Sequence, residues 1–296
     1  MLINIKYLVI TVISIFLALG IGILVGVQMD SEEIIVEQQE ITLQKMEEKF
    51  SELNQTNEEL KNQIQKLSDA NQLSETYIKN IFPDYIKGKL AGMHVVVVET
   101  SGDYVYTEMR QALKTAGADV VSISFDNDKL FNMTEEDESE FMAYFKLTSK
   151  ENIIPAIVKN VSDAAYGKAN KENLAFLIEK GILYVSGNLE TPANYVVIAG
   201  GSSRDEGDNR YEAIDIPLIR ELKKYSLPVI GVETTDAKIS YIEMYKKQNI
   251  STVDNVDTII GQTSLILVMT GKEGHYGVKN SANSLMPFLS EEEKTQ

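Results

Sequence analysis

The side chains that most often carry chemistry are scarce in this sequence. Only two histidines occur, His94 and His275, and there is no cysteine. The chain therefore has no thiolate nucleophile, no disulfide and no soft thiolate metal site. His94 opens an apolar run typical of a buried strand, which favours a structural role. A Ser-His-Asp triad would have to use His275, and no nucleophile motif accompanies it.

Two glycine-containing stretches are the remaining places where a site could form. Gly200-Gly201-Ser202-Ser203 has the flexibility to cradle an anion, but it matches no phosphate-loop motif, and a tight turn is the simpler interpretation. The polar residues that follow could hold calcium or form a solvated loop, and they are Asp205, Glu206, Asp208 and Asn209. Gly274-His275-Tyr276-Gly277 predicts a tight turn that holds its two central side chains in place.

Short apolar runs alternate with amphipathic segments after residue 89, which predicts the elements that would position these groups. The predicted strands cover residues 94–98, 120–125, 182–185, 195–199 and 228–232. The predicted helices lie at 101–117, from 134 onwards, and at 153–166, 170–180, 211–225 and 236–247. Thr134 and Asp137 predict a capping box. This alternation predicts an α/β fold, a doubly wound and mostly parallel Rossmann-like domain over residues 89–288.

The first part of the chain predicts a membrane anchor. Residues 7–29 carry no charge and are long enough to cross the roughly 30 Å core of a bilayer. Lys6 precedes the run and Asp30 follows it, so residues 1–6 are predicted to be cytoplasmic and the rest extracytoplasmic. A cleaved signal peptide is disfavoured by the length of the run. Ala18, Gly22 and Gly26 share one helix face and predict close helix packing in lipid.

Residues 32–80 have the heptad pattern of a coiled-coil stalk. The predicted core consists of Val36, Leu43, Met46, Phe50, Leu53, Asn57, Leu60, Ile64 and Leu67. Asn57 at an a position fixes register and favours two strands, so we expect a homodimer. The alternative is one amphipathic helix packed on its own globular domain. Pro83, Gly88 and Gly92 are expected to mark the end of the stalk.

The charge of the chain limits its partners. Lys and Arg number 28 against 44 Asp and Glu, which gives a net charge of −16. An acidic surface disfavours nucleic acid and suits a basic protein partner or loosely held cations. The acidic residues 289–296 are predicted to be a disordered tail.

Several stretches in this order resemble the MctB family, described as copper transport outer membrane proteins. They are the glycines of the span, the coiled coil, Ser251-Thr252-Val253-Asp254-Asn255 and Gly274-His275-Tyr276-Gly277. The resemblance covers essentially the whole chain and implies a role in copper transport or homeostasis. It extends to SteB-like proteins of cell separation, which implies a scaffold that recruits cell-envelope machinery.

These observations together predict a non-enzymatic protein. A single apolar helix encloses no lumen for an ion, so the chain is not expected to be a pore itself. No cofactor is required by any motif, and copper is implied by the resemblance alone. If copper is bound, the candidate ligands are His275 and His94. The alternative is a stalk scaffold for an envelope protein such as a peptidoglycan hydrolase; an enzyme acting on glycans lacks a recognisable carboxylate pair.

Overall fold

The computed structural model describes residues 5–203 and 210–288, except for the side chains of residues 29–37. The chain divides into two compact units, Met1–Glu75 and Thr76–Gln296. The first unit consists of most of one long helix, α1 (Ile5–Ile86). The second unit contains the sheet and the helices that cover it.

Helix α1 begins in the apolar run and continues without a break. Neither glycine nor proline occurs between Val27 and Phe82, so nothing in the backbone interrupts it. Its segment Ile5–Gln28 is, among the described residues, the one helix long and apolar enough to cross a membrane. The helix runs past Pro83 to Ile86, further than the proline led us to expect. Ile86 is fully buried in the core of the second unit, and this packing offsets the cost of the proline.

The second unit is built on a mixed sheet whose strands have the order β3-β2-β1-β4-β5-β6-β7. The strands are β1 (His94–Glu99), β2 (Asp119–Phe125), β3 (Leu183–Ser186), β4 (Tyr195–Ala199), β5 (Val229–Val232), β6 (Ser251–Val253) and β7 (His275–Tyr276). Every neighbouring pair is parallel except β2 and β3, which are antiparallel. The predicted α/β class and mostly parallel sheet are confirmed.

Helices cover both faces of this sheet. They are α2 (Thr107–Thr115), α3 (Asn127–Phe131), α4 (Glu135–Phe145), α5 (Ile153–Ala165), α6 (Lys171–Glu179), α7 (Ile216–Lys224), α8 (Ile242–Lys247) and α9 (Ile259–Met269). In β1, Val96 and Val98 enter the core shared with α4 to α8, whereas Val95 and Val97 enter the core shared with α2, α9 and Ile86. A strand buried on both faces must be apolar at every position, which explains the unbroken valine run.

The sequence predicted most of the local structure, with several departures: the helix expected over residues 101–117 is only α2, and α3, β6 and α9 were not predicted. Thr134 and Asp137 form the predicted capping box. The helix expected over residues 211–225 begins as a π turn, Tyr211–Asp215, before α7. The helix expected over residues 236–247 is formed only in α8, because the preceding residues fold around a buried carboxylate described below. The tight turn expected at residues 274–277 is instead strand β7.

Candidate functional site

The carboxyl ends of the parallel strands carry most of the buried polar side chains of the second unit. In open α/β sheets this edge is where ligands bind, and the crevice lies where the strand order reverses, here between β1 and β4. The buried polar residues at this edge are Thr100, Ser101, Ser202, Arg210, Glu233, Thr234, Asp254 and Asn255. Because buried polar groups need partners, their hydrogen bonds show how the edge is organised.

Arg210 fills the crevice between β1 and β4. Its guanidinium donates to the hydroxyls of Ser101 (3.0 Å) and Ser202 (2.9 Å) and to the carboxylate of Asp103 (2.7 Å). Burial alone would raise the pKa of Asp103, but the hydrogen bonds from Arg210 and from the Ser203 N–H, together with the Arg210 charge, outweigh burial and lower that pKa. One charge pair thus links the loops that follow β1 and β4.

The Gly200-Gly201-Ser202-Ser203 loop is a packed turn. Three of its four backbone N–H groups bond within the protein: Gly200 to Val232 O, Ser202 to Ile239 O, and Ser203 to the Asp103 carboxylate. A Cβ on Gly200 would lie 1.9 Å from the Tyr245 hydroxyl, so glycine is required there for packing. These contacts favour the turn over the anion cradle. The adjacent calcium candidates lie outside the described residues, and they are Asp205, Glu206, Asp208 and Asn209.

A second buried charge pair lies at the end of β5. The Glu233 carboxylate is fully buried and accepts hydrogen bonds from Lys279 Nζ (2.6 Å), the Ser240 hydroxyl (2.6 Å) and the Tyr241 N–H (2.9 Å). Burial raises the pKa of Glu233, and these donors offset only part of that rise. The carboxylate therefore organises residues 233–241 and also anchors the segment that follows β7.

The two sequence stretches that carry the family resemblance are neighbours in the sheet. Strands β6 and β7 are parallel, with Thr252 opposite His275 and Val253 opposite Tyr276. The Ser251 hydroxyl accepts a hydrogen bond from the Gly274 N–H. The stretches Ser251-Thr252-Val253-Asp254-Asn255 and Gly274-His275-Tyr276-Gly277 therefore form one structural unit at the edge of the sheet.

Asp254 is the centre of this unit. Its carboxylate is buried and accepts hydrogen bonds from the backbone N–H groups of Val278 (2.7 Å) and Lys279 (3.0 Å). A Cβ on Gly277 would lie 1.9 Å from the Asp254 carboxylate, and the φ of Gly277 is +143°. Glycine at 277 thus makes room for the carboxylate, which in turn directs Lys279 toward Glu233.

His275 is half-buried beside this unit. Its Nδ1 is 3.0 Å from the Thr252 hydroxyl, which orients the ring. Partial burial, followed by the charge of Lys246, lowers the pKa of His275, and Glu243 opposes this only weakly. The imidazole is therefore neutral near pH 7, the form that accepts protons and coordinates metals.

The whole chain can now be compared with known proteins. Residues 2–287 match the family described as copper transport outer membrane protein, MctB. The chain belongs to the MctB family. The resemblance inferred from the sequence is confirmed over nearly its full length, and the two stretches united at β6 and β7 lie inside the match. No curated protein matches the chain.

The two candidate copper ligands of this MctB-family chain lie far apart. His94 lies at the start of β1, where its ring Nδ1 is 2.8 Å from the Asp119 carboxylate and its backbone N–H donates to the side-chain oxygen of Asn194. His275 lies on β7, four strands away in the sheet, which corresponds to about 19 Å at the usual strand spacing. The two imidazoles of one chain therefore do not share an ion. Among the described side chains, those of residues 5–28, 38–203 and 210–288, no three His, Asp or Glu gather as a metal site.

Sequence reasoning missed the two buried charge pairs, Asp103 with Arg210 and Glu233 with Lys279. Each pair joins residues more than forty positions apart, so local patterns carry no signal for the pairing. Lys279 comes two residues after Gly277, so a charged residue close to a structural glycine was a clue for the second pair. Arg210 lies seven residues after Ser203, and no sequence pattern singles it out.

The predicted helix-contact residues of the first unit lie on the surface of α1. The exposed apolar side chains of the predicted stalk core are Leu43, Met46, Phe50, Leu53, Leu60, Ile64 and Leu67. Asn57 is exposed among them, whereas the side chain of Val36 lies outside the described residues. In the span, Gly22 and Gly26 have open space where a Cβ would be, and Ala18 is exposed.

Proposed function

We propose that this chain is a single-span membrane protein that acts in copper homeostasis as a non-enzymatic accessory and is not itself a pore. Residues 7–29 would cross the membrane, with residues 1–6 in the cytoplasm and the α/β unit outside the cytoplasm. The family match and the one apolar helix support the membrane and copper parts of this proposal. The charges that flank the span support the orientation.

The observation that carries the proposal is the exposed heptad face of α1. Burying one large apolar side chain contributes about 1.5–3 kcal/mol. A pair of helices would bury fourteen such side chains. Their summed contribution exceeds the roughly 4–15 kcal/mol that association costs. A two-stranded coiled coil over residues 32–80 would thus bury an apolar face that a single helix exposes to water. The chain would then be a homodimer.

The non-enzymatic part of the proposal is supported by the sheet edge. The strand order of the sheet reverses between β1 and β4, as it does in dinucleotide-binding sheets, and this supports the Rossmann-like description. The reversal crevice is filled by Arg210 and Asp103, which bond to each other, and Glu233 is bonded to Lys279. Charged groups that satisfy one another are less available to polarise a substrate.

Direct copper binding is tested on the full chain in detergent micelles. Copper(I), under anaerobic and reducing conditions, and copper(II) are titrated against a competing chelator. We expect about one ion per chain, lost in His275→Ala and retained in the matched control His94→Ala. Equal binding by all three proteins at the level of any acidic surface would exclude His275 as the ligand.

A scaffold for cell-envelope machinery is the second candidate function, and the exposed stalk face favours it. Cells that lack the chain distinguish the two candidates. Sensitivity to copper, restored by the wild-type chain but not by His275→Ala, supports metal handling. Failure of daughter cells to separate, restored by His275→Ala but not by a chain lacking residues 32–80, supports a scaffold that recruits a peptidoglycan hydrolase.

A further inference from the structure

Two of the three small residues on one face of the span, Ala18 and Gly22, fall in the heptad frame of the apolar face of the stalk. Gly22 precedes Leu43 by 21 residues, which is three heptads, and Ala18 precedes Met46 by 28 residues, which is four. Gly22 is therefore an a position and Ala18 a d position in the frame of the stalk. Because α1 is a single helix from Ile5 to Ile86, no turn or loop resets this frame between the two segments.

This frame has physical consequences along the whole face. A strict seven-residue repeat drifts around a straight helix by about 20° per heptad, so a partner that follows it must coil left-handedly. Most membrane helix pairs also cross left-handedly, at about +20°, as soluble coiled coils do, whereas pairs built on a Gly-xxx-Gly motif often cross right-handedly. A left-handed crossing would bring Gly22 in lipid and Leu43 in water onto one seam. Among the described residues of this face, the apolar side chains from Leu43 to Leu67 are exposed, and nothing lies within 4 Å of a Cβ placed on Gly22.

The occupant that fits this face is a second copy of the chain. Asn57 lies at an a position, where its amide needs a polar partner within an otherwise apolar seam. An identical helix in register supplies that partner, because its own Asn57 lies directly opposite. In a parallel pair the flanking positions bring Lys49 opposite Asn54 and Thr56 opposite Lys61, so like charges do not meet there. Copies inserted in one membrane with the same orientation are necessarily parallel.

We propose that two copies associate in parallel and in register along one continuous seam of α1, from Ala18 in the span to Leu67 in the stalk. This inference rests on the membrane anchorage in the proposed function and goes beyond dimerisation as such, because it joins the span and stalk contacts into one frame. The seam fixes the rotation of the stalk relative to the span in both copies.

Single-cysteine crosslinking tests the seam, and the absence of native cysteine makes the full chain a clean background. Gly22→Cys is compared with Gly20→Cys, a glycine at an f position two residues away on another face. Asn57→Cys is compared with Asn62→Cys, an asparagine at an f position. Each chain is treated in native membranes with a short bis-maleimide, which avoids copper-based oxidants, and membrane insertion is checked by fractionation.

We expect Gly22→Cys and Asn57→Cys to form crosslinked dimers at least five-fold faster than their f-position controls. Ala18→Cys and Leu60→Cys provide second seam positions if a first variant fails to insert. Equal rates at seam and control positions overturn the proposal. Crosslinking at residue 57 with no preference for residue 22 over residue 20 also overturns it, because the two segments would then pair in different frames. Copper titration of the uncrosslinked chain reports on the proposed function separately.

Discussion

Gly277 and Asp254 show how one contact between two residues can set the course of the chain after β7. Asp254 binds two consecutive N–H groups after β7, and a side chain at 277 would occupy the volume of that carboxylate. Together they fix the chain direction that places Lys279 on Glu233. These contacts give the stretch Gly274-His275-Tyr276-Gly277 a structural explanation that requires no chemical role.

Gly277→Ala is expected to destabilise the second unit by about 3 kcal/mol or more. The cost combines overpacking of a filled site, about 1–3 kcal/mol, with backbone strain at a positive φ of about 1 kcal/mol or more. Chemical denaturation of the full chain in detergent measures it. Gly102→Ala is the control, since nothing lies within 4 Å of its Cβ position, and its effect should stay within about 0.5 kcal/mol. Equal effects of the two variants would contradict the assigned role of Gly277.

His275 is expected to titrate below its ordinary pKa of 6.5, and Lys246→Met should raise its pKa. Since protonation is less favourable in the folded state, the unfolded chain takes up the proton first as the pH falls. The contribution of His275 to stability is therefore complete above pH 6.5 and declines below it. NMR of labelled histidine rings measures this directly, and His94→Gln assigns the two signals. A pKa at or above 6.5, or one insensitive to Lys246→Met, would refute the electrostatic account.

At the scale of elements, the sequence predicted the helices and strands that depend on neighbouring residues. It failed where contacts between distant residues decide the structure. The valine run of β1 and the Thr134 capping box are set by neighbouring residues, and both formed as expected. The tight turn expected at Gly274 to Gly277 became strand β7, because Thr252 and Val253 of β6 offered it a parallel partner. Helix formation before α8 was prevented by Glu233, whose carboxylate binds the Ser240 hydroxyl and the Tyr241 N–H. Such long-range partners leave no trace in a local pattern.

The Asp103 and Arg210 pair is expected to couple the loops after β1 and β4. Arg210→Met leaves a largely buried carboxylate without its guanidinium, which costs about 3–5 kcal/mol. Asp103→Asn combined with Arg210→Met should cost less than the sum of the two single changes, because no uncompensated charge remains. A double-mutant cycle by denaturation provides the coupling energy. Strict additivity would show that the two groups do not depend on each other.

At the scale of the whole molecule, the long helix α1 was predictable because exposed helices follow local periodicity, whereas its pairing into a coiled coil stays a prediction. The candidate copper ligands were less predictable, since nothing local indicates that β1 and β7 lie four strands apart. The separation of His94 and His275 leaves His275 as the imidazole to test for copper, and it makes association between chains relevant to any multi-ligand site.

Asn57→Leu is expected to strengthen association of the full chain while broadening its assembly size. A polar residue at an a position lowers the stability of a coiled coil and specifies two strands. Its replacement by leucine should therefore raise stability and allow other oligomer sizes. Light scattering in detergent, combined with thermal dissociation, measures size and stability together. Asn62→Leu, on another face of the same helix, should change neither. A more stable species that remains strictly dimeric would show that Asn57 does not set the oligomer order.

The pairing of β1 with β4 has a consequence for how the second unit is made. Val95 lies beside Tyr195, one hundred residues later in the chain, so the centre of the sheet cannot close until both segments are available. Parallel pairings of such high sequence separation are slow, with folding times in the millisecond to second range or longer. During this interval two largely apolar strands lack their partners and are prone to aggregate. Synthesis of this protein therefore creates a demand for chaperones on the side of the membrane where the sheet folds.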